Sequence, residues 1–209
     1  MAQGGPNPVE VIDAVRAQGW RVVLGNADAF LLDPEASSEP TTPRHLEMRE
    51  WSLAQLGDER LDFIGTFSPT LEVALGGGRT LLAFHGSPGS FDDIILPSID
   101  EESHRALLAG YDADVFAGGH VHVQWLRRLG ASVYVNPGSV GLSYDHSQPE
   151  DDFRFDPWAA YALLETDEGG ATEIALRRVP FDYREVIETL RTSDMPHAEP
   201  SIWRWEPRA

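Results

Sequence analysis

The stretch Val115-Phe116-Ala117-Gly118-Gly119-His120-Val121-His122 decides the fold of this 209-residue chain, because a short apolar run passes through two glycines into paired histidines. Two other apolar runs end similarly, Arg21-Val22-Val23-Leu24 at Gly25-Asn26 and the run through Phe84 at His85. In open α/β sheets, ligands bind at the carboxyl ends of the strands. If the three runs are neighbouring strands, one edge of the sheet collects four candidate ligands: Asn26, His85, His120 and His122.

These four side chains predict a metal site. Neutral imidazole is the commonest metal-binding side chain, and an amide oxygen suits harder divalent ions, so the set favours Mn²⁺, Fe²⁺, Ni²⁺ or Zn²⁺. The spacing of two between His120 and His122 places both imidazoles on one side if the backbone is extended. The alternative is an acidic globular domain in which these histidines are structural.

The composition limits the classes of partner. Sixteen basic against thirty-four acidic residues give a net charge of −18, which argues against binding to duplex nucleic acid or electrostatic binding to a membrane. With no cysteine, a disulfide framework, a thiolate zinc site, an iron–sulfur cluster and a cysteine nucleophile are excluded. The sequence shows neither a membrane-spanning run nor a signal-peptide pattern, so we expect a soluble, cytoplasmic protein.

The remaining pattern predicts a mixed α/β layered fold. We expect one domain over residues 1–190 and a tail over 191–209 that is extended from Pro196 and docks through Trp203 and Trp205. The predicted helices are one from Asn7-Pro8 to Gly19, one over 44–56, one capped by Asp100 and ending at Leu108, and one capped by Asp182 with Glu185. The predicted strands are 21–24, 71–75, 79–84, 114–117, 123–129, 132–135, 159–165 and 172–179.

Other candidates for chemistry are weaker. His104 lies in a helix rich in acid, so we expect it to be solvated, and His45 and His197 lie in or near loops. His146 is the one remaining histidine expected to line a site. Neither Ser87 nor Ser139 fits the Gly-x-Ser-x-Gly pattern of a serine nucleophile.

Four motifs together resemble the calcineurin-like metallophosphoesterase family, in particular its small prokaryotic phosphodiesterase-like branch. They are Gly25-Asn26-Ala27-Asp28, His85-Gly86-Ser87-Pro88, Gly119-His120-Val121-His122 and Asn136-Pro137-Gly138-Ser139-Val140-Gly141. The resemblance implies an α/β/β/α sandwich with two divalent metals at the strand ends. It also implies that Asn26, His85 and His120 bind the second metal and His122 the first.

The chain departs from the family pattern at two places. The Asp-x-His and Gly-Asp motifs of the family are absent, and Met1–Pro6 resembles the segment that directly follows Gly-Asp. We therefore expect a chain that begins at an internal methionine and lacks the first strand and helix of the sandwich. Ala27 stands where the family often has a histidine, and Asp28, which orients that histidine in the family, is a candidate hydrogen-bond acceptor behind the ligands.

The resemblance implies that the complete site hydrolyses a small phosphodiester or phosphomonoester. The attacking group would be a hydroxide activated by two metals. With four ligands recognisable, we expect this chain to bind one metal weakly and to have reduced activity. The alternative is a non-catalytic binding or regulatory module on the same scaffold. The tail with its tryptophans is a candidate surface for a homo-oligomer.

Overall fold

The computed structural model of the chain describes residues 3–36 and 41–206. Within them, the helices are α1 (Pro8–Gln18), α2 (Asn26–Leu32), α3 (Pro43–Ile64), α4 (Glu101–Leu107), α5 (Tyr183–Thr192) and α6 (Ala198–Trp205). The strands are β1 (Thr70–Ala74), β2 (Thr80–Phe84), β3 (Val115–Ala117), β4 (Gln124–Leu129), β5 (Ser132–Pro137), β6 (Trp158–Thr166) and β7 (Thr172–Pro180). The predicted mixed α/β class is confirmed.

A five-stranded sheet in the order β1-β2-β3-β5-β4 forms the centre of the protein. Its inner strands β2, β3 and β5 run parallel, whereas β1 and β4 pair antiparallel at the two edges. The inner strands are short and apolar, as expected for strands covered on both faces. β6 and β7 form a separate antiparallel hairpin, so the pairing expected of the strands around Gly76–Gly78 and around Asp167–Gly170 is confirmed.

The turns of two hairpins pack against each other and fix the position of the small sheet. A Cβ atom on Gly76, between β1 and β2, would overlap the carbonyl oxygen of Asp167, between β6 and β7. Arg79 donates from Nη1 to the Gly170 carbonyl at 2.9 Å across the same contact. Gly77 has φ 66°, a conformation that glycine adopts without strain. Gly76 and Gly77 therefore allow the turn between β1 and β2 to lie against the turn between β6 and β7.

The helices pack together in two apolar clusters. The first joins α1, α2 and α3 around Ile12, Leu31 and Leu56, which are almost fully buried. The second joins α5 and α6 to α3 and contains Leu190. The predicted helix over 44–56 extends to Ile64, with non-helical backbone at Gly57.

The prediction of an extended tail is wrong, because residues 198–205 form α6. Pro200 lies in the first turn of that helix, where a missing N–H is tolerated, so it does not prevent the helix. The predicted docking is confirmed for Trp205, which is buried against α5, whereas Trp203 is partly exposed beneath the guanidinium of Arg154. Residues 207–209 of the predicted tail and residues 1–2 lie outside the described residues.

Two further local predictions need correction. Residues 21–24 form a single bridge, between Val23 and Ser68, instead of a strand. The side chain of Asn7 makes no capping hydrogen bond to α1, although Asp100 caps α4 by accepting from Ser103 N at 2.8 Å.

No helix within the described residues has the length and apolar character needed to cross a membrane.

The expectation that His104 is solvated is also wrong, because its side chain is fully buried between Trp125 and Tyr134. Neither of its ring nitrogens has a hydrogen-bond partner among the described residues. Burial lowers the pKa of His104 to about 4, and the positive charges of Arg127 and Arg105 act in the same direction. The acidic residues of α4 lie on its outer side, so the helix buries its histidine while exposing its carboxylates.

We predict that His104 makes the fold sensitive to acid. Its pKa is about 4 in the folded chain against an ordinary 6.5, so unfolded chains bind the proton more readily between these values. The stabilisation from the neutral ring is complete above about pH 6.5 and is lost toward pH 4, up to about 3 kcal/mol. Urea unfolding at pH 7 and pH 4.5 should show a smaller pH dependence for His104→Leu than for the unaltered chain. Equal pH dependence in the two proteins would contradict this assignment.

Candidate metal centre

Parallel pairing brings two of the predicted ligands to one edge of the sheet. β2 ends at Phe84 and is followed at once by His85, and β3 ends at Ala117, before Gly118-Gly119-His120. The two strands are parallel neighbours in the register Ala83 to Ala117, so their carboxyl ends adjoin. The backbone N–H of Gly119 then donates to the His85 carbonyl at 2.7 Å, which extends the pairing beyond the strands.

Asn26 reaches the same edge by a different route. Leu24 N donates to the Ser68 carbonyl at 2.8 Å, which aligns the segment before α2 with the segment before β1. Thr70 of β1 pairs with Phe84, so this alignment places Asn26 beside the end of β2. Asn26 is the first residue of α2. Gly25, directly before it, is still extended, so the change to helical backbone occurs between these two residues.

Three atoms with lone pairs meet at this point. The distance from Asn26 Oδ1 to His85 Nε2 is 3.0 Å, and the distance from His85 Nε2 to His120 Nδ1 is 3.1 Å. Burial lowers the pKa of His85 to about 4, and the neighbouring His120 acts in the same direction. His85 is therefore neutral near pH 7, the form of imidazole that binds metals.

These distances fit a ligand set around one cation. Donor atoms bonded at about 2.1 Å to one octahedral ion lie about 3 Å apart, which matches the distances from His85 Nε2 to Asn26 Oδ1 and to His120 Nδ1. His85 Nε2 takes part in both contacts, so it faces the amide oxygen of Asn26 and the ring nitrogen of His120 together. The set has only two imidazoles, and within residues 3–36 and 41–206 no group of three or more His, Cys, Asp or Glu side chains is placed to hold a metal ion. Its third donor is the amide of Asn26.

The backbone at the histidine pair differs from the prediction. His120 and His122 have φ 65° and 59°, so both are left-handed rather than extended. Histidine is among the residues more often found there, but the conformation has an energetic cost and persists only where the surroundings impose it. A Cβ on Gly118 would lie 2.5 Å from the Tyr134 hydroxyl oxygen, so the chain leaves β3 through a glycine and turns at once.

Asn136 helps to hold the left-handed backbone at His120, a role that the sequence analysis did not assign to it. The side chain is fully buried, and its Nδ2 donates to the Gly119 carbonyl at 2.7 Å while its Oδ1 accepts from Gly138 N at 2.9 Å. The Gly119 carbonyl also accepts from Val121 N at 2.8 Å, closing a three-residue turn around His120. The sequence does contain a signal for this role, because the polar Asn136 directly follows the apolar residues Val133-Tyr134-Val135 in β5.

The segment after β5 holds His122 from the other side. His122 Nδ1 contacts the Leu142 carbonyl at 2.7 Å, so it carries the proton and Nε2 keeps a lone pair. His146 Nε2 contacts the Val121 carbonyl at 2.7 Å, and the Tyr144 ring lies between the two imidazoles. Burial lowers the pKa of His122, although the Leu142 contact opposes this shift. The expectation that His146 lines the site stays a prediction.

The family model described as the calcineurin-like phosphoesterase superfamily domain matches residues 4–169. The chain belongs to this superfamily. The match includes all four predicted ligands together with Asn136 and His146. A comparison with the sequences of curated proteins gives no match.

Two solved structures from other organisms have a fold similar to that of this chain. A metallophosphoesterase from Sphaerobacter thermophilus aligns with TM-score 0.73 and 21% identity, covering 96% of this chain and 82% of its own. A hypothetical protein from Pyrococcus horikoshii OT3 also aligns with TM-score 0.73, at 16% identity, covering 96% of this chain and 79% of its own. At these identities the comparison shows a shared fold, which is the metallophosphoesterase architecture.

The other candidate residues lie around or away from this centre. Asp28 is buried in the first turn of α2, and its charge raises the pKa of His85, opposing the effect of burial. Its assignment as an acceptor behind the ligands stays a prediction. His45 is exposed on α3, and His197, which contacts Glu47 at 2.7 Å, is part of the α3–α6 contact.

We predict that Gly25→Ala weakens Mn²⁺ binding while Gly119→Ala does not. A Cβ on Gly25 would lie 3.0 and 3.1 Å from two ring atoms of His85, so the imidazole or the backbone has to shift. A Cβ on Gly119 would lie 3.5 Å from the same ring, an ordinary contact. Displacing a ligand by a few tenths of an ångström should reduce Mn²⁺ affinity about tenfold, the lower end of the effect of residues behind ligands.

Calorimetric titration with Mn²⁺ and a thermal melt of both variants test this expectation. Both glycines have negative φ, so neither substitution forces the backbone into the left-handed region. Equal Mn²⁺ affinities for the two variants would show that the position of the His85 ring does not control binding.

Proposed function

We propose that this member of the superfamily is a metal-dependent phosphoesterase whose cation is held by Asn26, His85 and His120. The observation that carries the proposal is the approach of three donor atoms to 3.0 and 3.1 Å at the carboxyl edge of the sheet. The donor set favours a borderline divalent ion, among Mn²⁺, Fe²⁺, Ni²⁺ and Zn²⁺. His122 supports the site with a lone pair on Nε2.

A divalent cation at these ligands supplies Lewis-acid polarisation of a phosphoryl group and activation of water. The residues of this chain provide the setting for that chemistry. Burial keeps His85 and His122 neutral, so no proton has to leave them before they bind. The Leu142 carbonyl fixes the proton of His122 on Nδ1 and thereby the direction of its free lone pair.

The net charge supports a role for a cation in binding substrate. At −18, the chain repels phosphate esters, and a bound divalent ion reverses the field locally. Repulsion grows with the charge of the ligand, so a phosphodiester with one negative charge is favoured over a doubly charged monoester. We therefore propose a small phosphodiester as substrate and a phosphomonoester as the less favoured alternative.

One cation is the number that the described donors support. Asn26, His85 and His120 converge on one point, whereas a second cation at His122 requires donors beyond those that the described residues bring together. We expect a titration with Mn²⁺ to give about one site per chain, with a dissociation constant weaker than micromolar. Two sites of micromolar affinity would contradict this assignment.

We predict Mn²⁺-dependent hydrolysis of bis-p-nitrophenyl phosphate that EDTA removes and added Mn²⁺ restores. His120→Ala should abolish Mn²⁺ binding and hydrolysis together, because it removes one of three ligands. His45→Ala, a change at an exposed histidine of α3, should alter neither and serves as the matched control. Release of p-nitrophenolate and calorimetry are the measurements.

The outcomes separate the candidate functions. Mn²⁺ binding that requires His120, without any hydrolysis, would favour the non-catalytic module over the enzyme. Hydrolysis that persists in His120→Ala or in EDTA would overturn the assignment of the ligands. A melt of His120→Ala that matches the unaltered chain would also exclude a structural role for this histidine.

A further inference from the structure

A cavity of about 300 Å³ adjoins the ligand cluster through His85, which forms part of its wall. Its volume lies at the lower end of the range for small-ligand sites, about 300–1,000 Å³. Pro69, Pro88 and Phe91 give the wall its apolar surface. We call this cavity the ring pocket. It lies directly beside the atoms to which the proposed function assigns the cation.

The loop that forms the ring pocket is held by its own hydrogen bonds. Ser87 N donates to the Ser90 carbonyl at 2.6 Å, and Ser87 Oγ accepts from Gly89 N and Ser90 N at 3.2 and 3.1 Å. The Ser87 hydroxyl donates to Asp93 at 2.5 Å. A Cβ on Gly86 would lie 2.7 Å from Asp93 N, so the loop closes tightly on itself. The wall is therefore formed before any ligand binds.

The charges of the ring pocket select against anions. Among the described residues that line it, none is a lysine or an arginine. Asp92 contributes a carboxylate, and Ser87 and Ser90 contribute hydroxyl groups. An anionic group in this pocket would lie near that carboxylate, whereas an uncharged ring would gain contacts with Phe91 and the two prolines.

We infer that the ring pocket binds the uncharged, ring-bearing organic group of a phosphoester whose phosphoryl group lies at Asn26, His85 and His120. This inference rests on the proposed function, because it places the phosphoryl group at the ligand cluster. It deepens that function by naming the chemical class of the substituent. Asp92 makes a second anionic group on the same substituent unfavourable.

Two non-hydrolysable phosphonates separate the pocket from the chemistry. In the presence of Mn²⁺, phenylphosphonate should bind about tenfold more tightly than methylphosphonate, because only the former carries a ring. Phe91→Ala should reduce this ratio to about twofold without changing the affinity for methylphosphonate. Tyr161→Ala, which removes an exposed ring on β6 away from the pocket, should leave the ratio unchanged. Calorimetry measures the affinities of the unaltered chain and both variants for each phosphonate.

A charged ligand tests the role of Asp92. 4-Carboxyphenylphosphonate should bind the unaltered chain more weakly than phenylphosphonate, and Asp92→Asn should remove that difference. Equal affinities of the unaltered chain for phenylphosphonate and methylphosphonate would overturn the inference and leave the proposed function standing. Failure of both phosphonates to bind in saturating Mn²⁺, together with no hydrolysis of bis-p-nitrophenyl phosphate, would overturn the proposed function and the inference with it.

Discussion

The carbonyl oxygen of Gly119 accepts hydrogen bonds from the Asn136 side chain and from Val121 N, and the position of His120 depends on both. Gly119 N meanwhile donates to the His85 carbonyl, so one residue links the ends of β2, β3 and β5. This network offsets the cost of left-handed backbone at His120. Without it, the imidazole would have no reason to lie 3.1 Å from that of His85.

Much of the fold could be predicted from local pattern. Gly76–Gly78 between two apolar runs predicts the hairpin of β1 and β2, and Asp167–Gly170 predicts that of β6 and β7, because turns and alternation are encoded within a few residues. The segment 21–24 and the tail could not be assigned in this way. Val23 finds a single partner in Ser68, and α6 forms because Trp205 is buried against α5. Both outcomes depend on residues that are distant in the sequence.

The same distinction applies to the site. Asn26, His85 and His120 follow apolar runs, and their convergence follows from the placement of strand ends in α/β sheets. The left-handed backbone of His122 is not indicated by any spacing within residues 120–122, and the proton on its Nδ1 depends on the distant Leu142 carbonyl. His104 shows the reverse error. Its acidic neighbours suggest solvent, but one side of a helix can be buried while the others carry charge, so composition of a segment does not fix the burial of a single residue.

The basic residues of the chain are all arginines, and several of them are engaged in structural contacts. Arg60 pairs with Asp13, Arg79 with Asp114, and Arg127 donates to backbone carbonyls. An arginine used in this way stabilises contacts between elements but does not attract a phosphate. In the proposed function, attraction for an anion comes instead from a cation at the three donors, whose effect is local. Beyond it, the acidic surface and the carboxylate at the ring pocket repel additional negative charge. In the proposed function, the site suits one phosphoryl group joined to a neutral substituent, because the described residues that line the ring pocket include no lysine or arginine to meet a further anionic group.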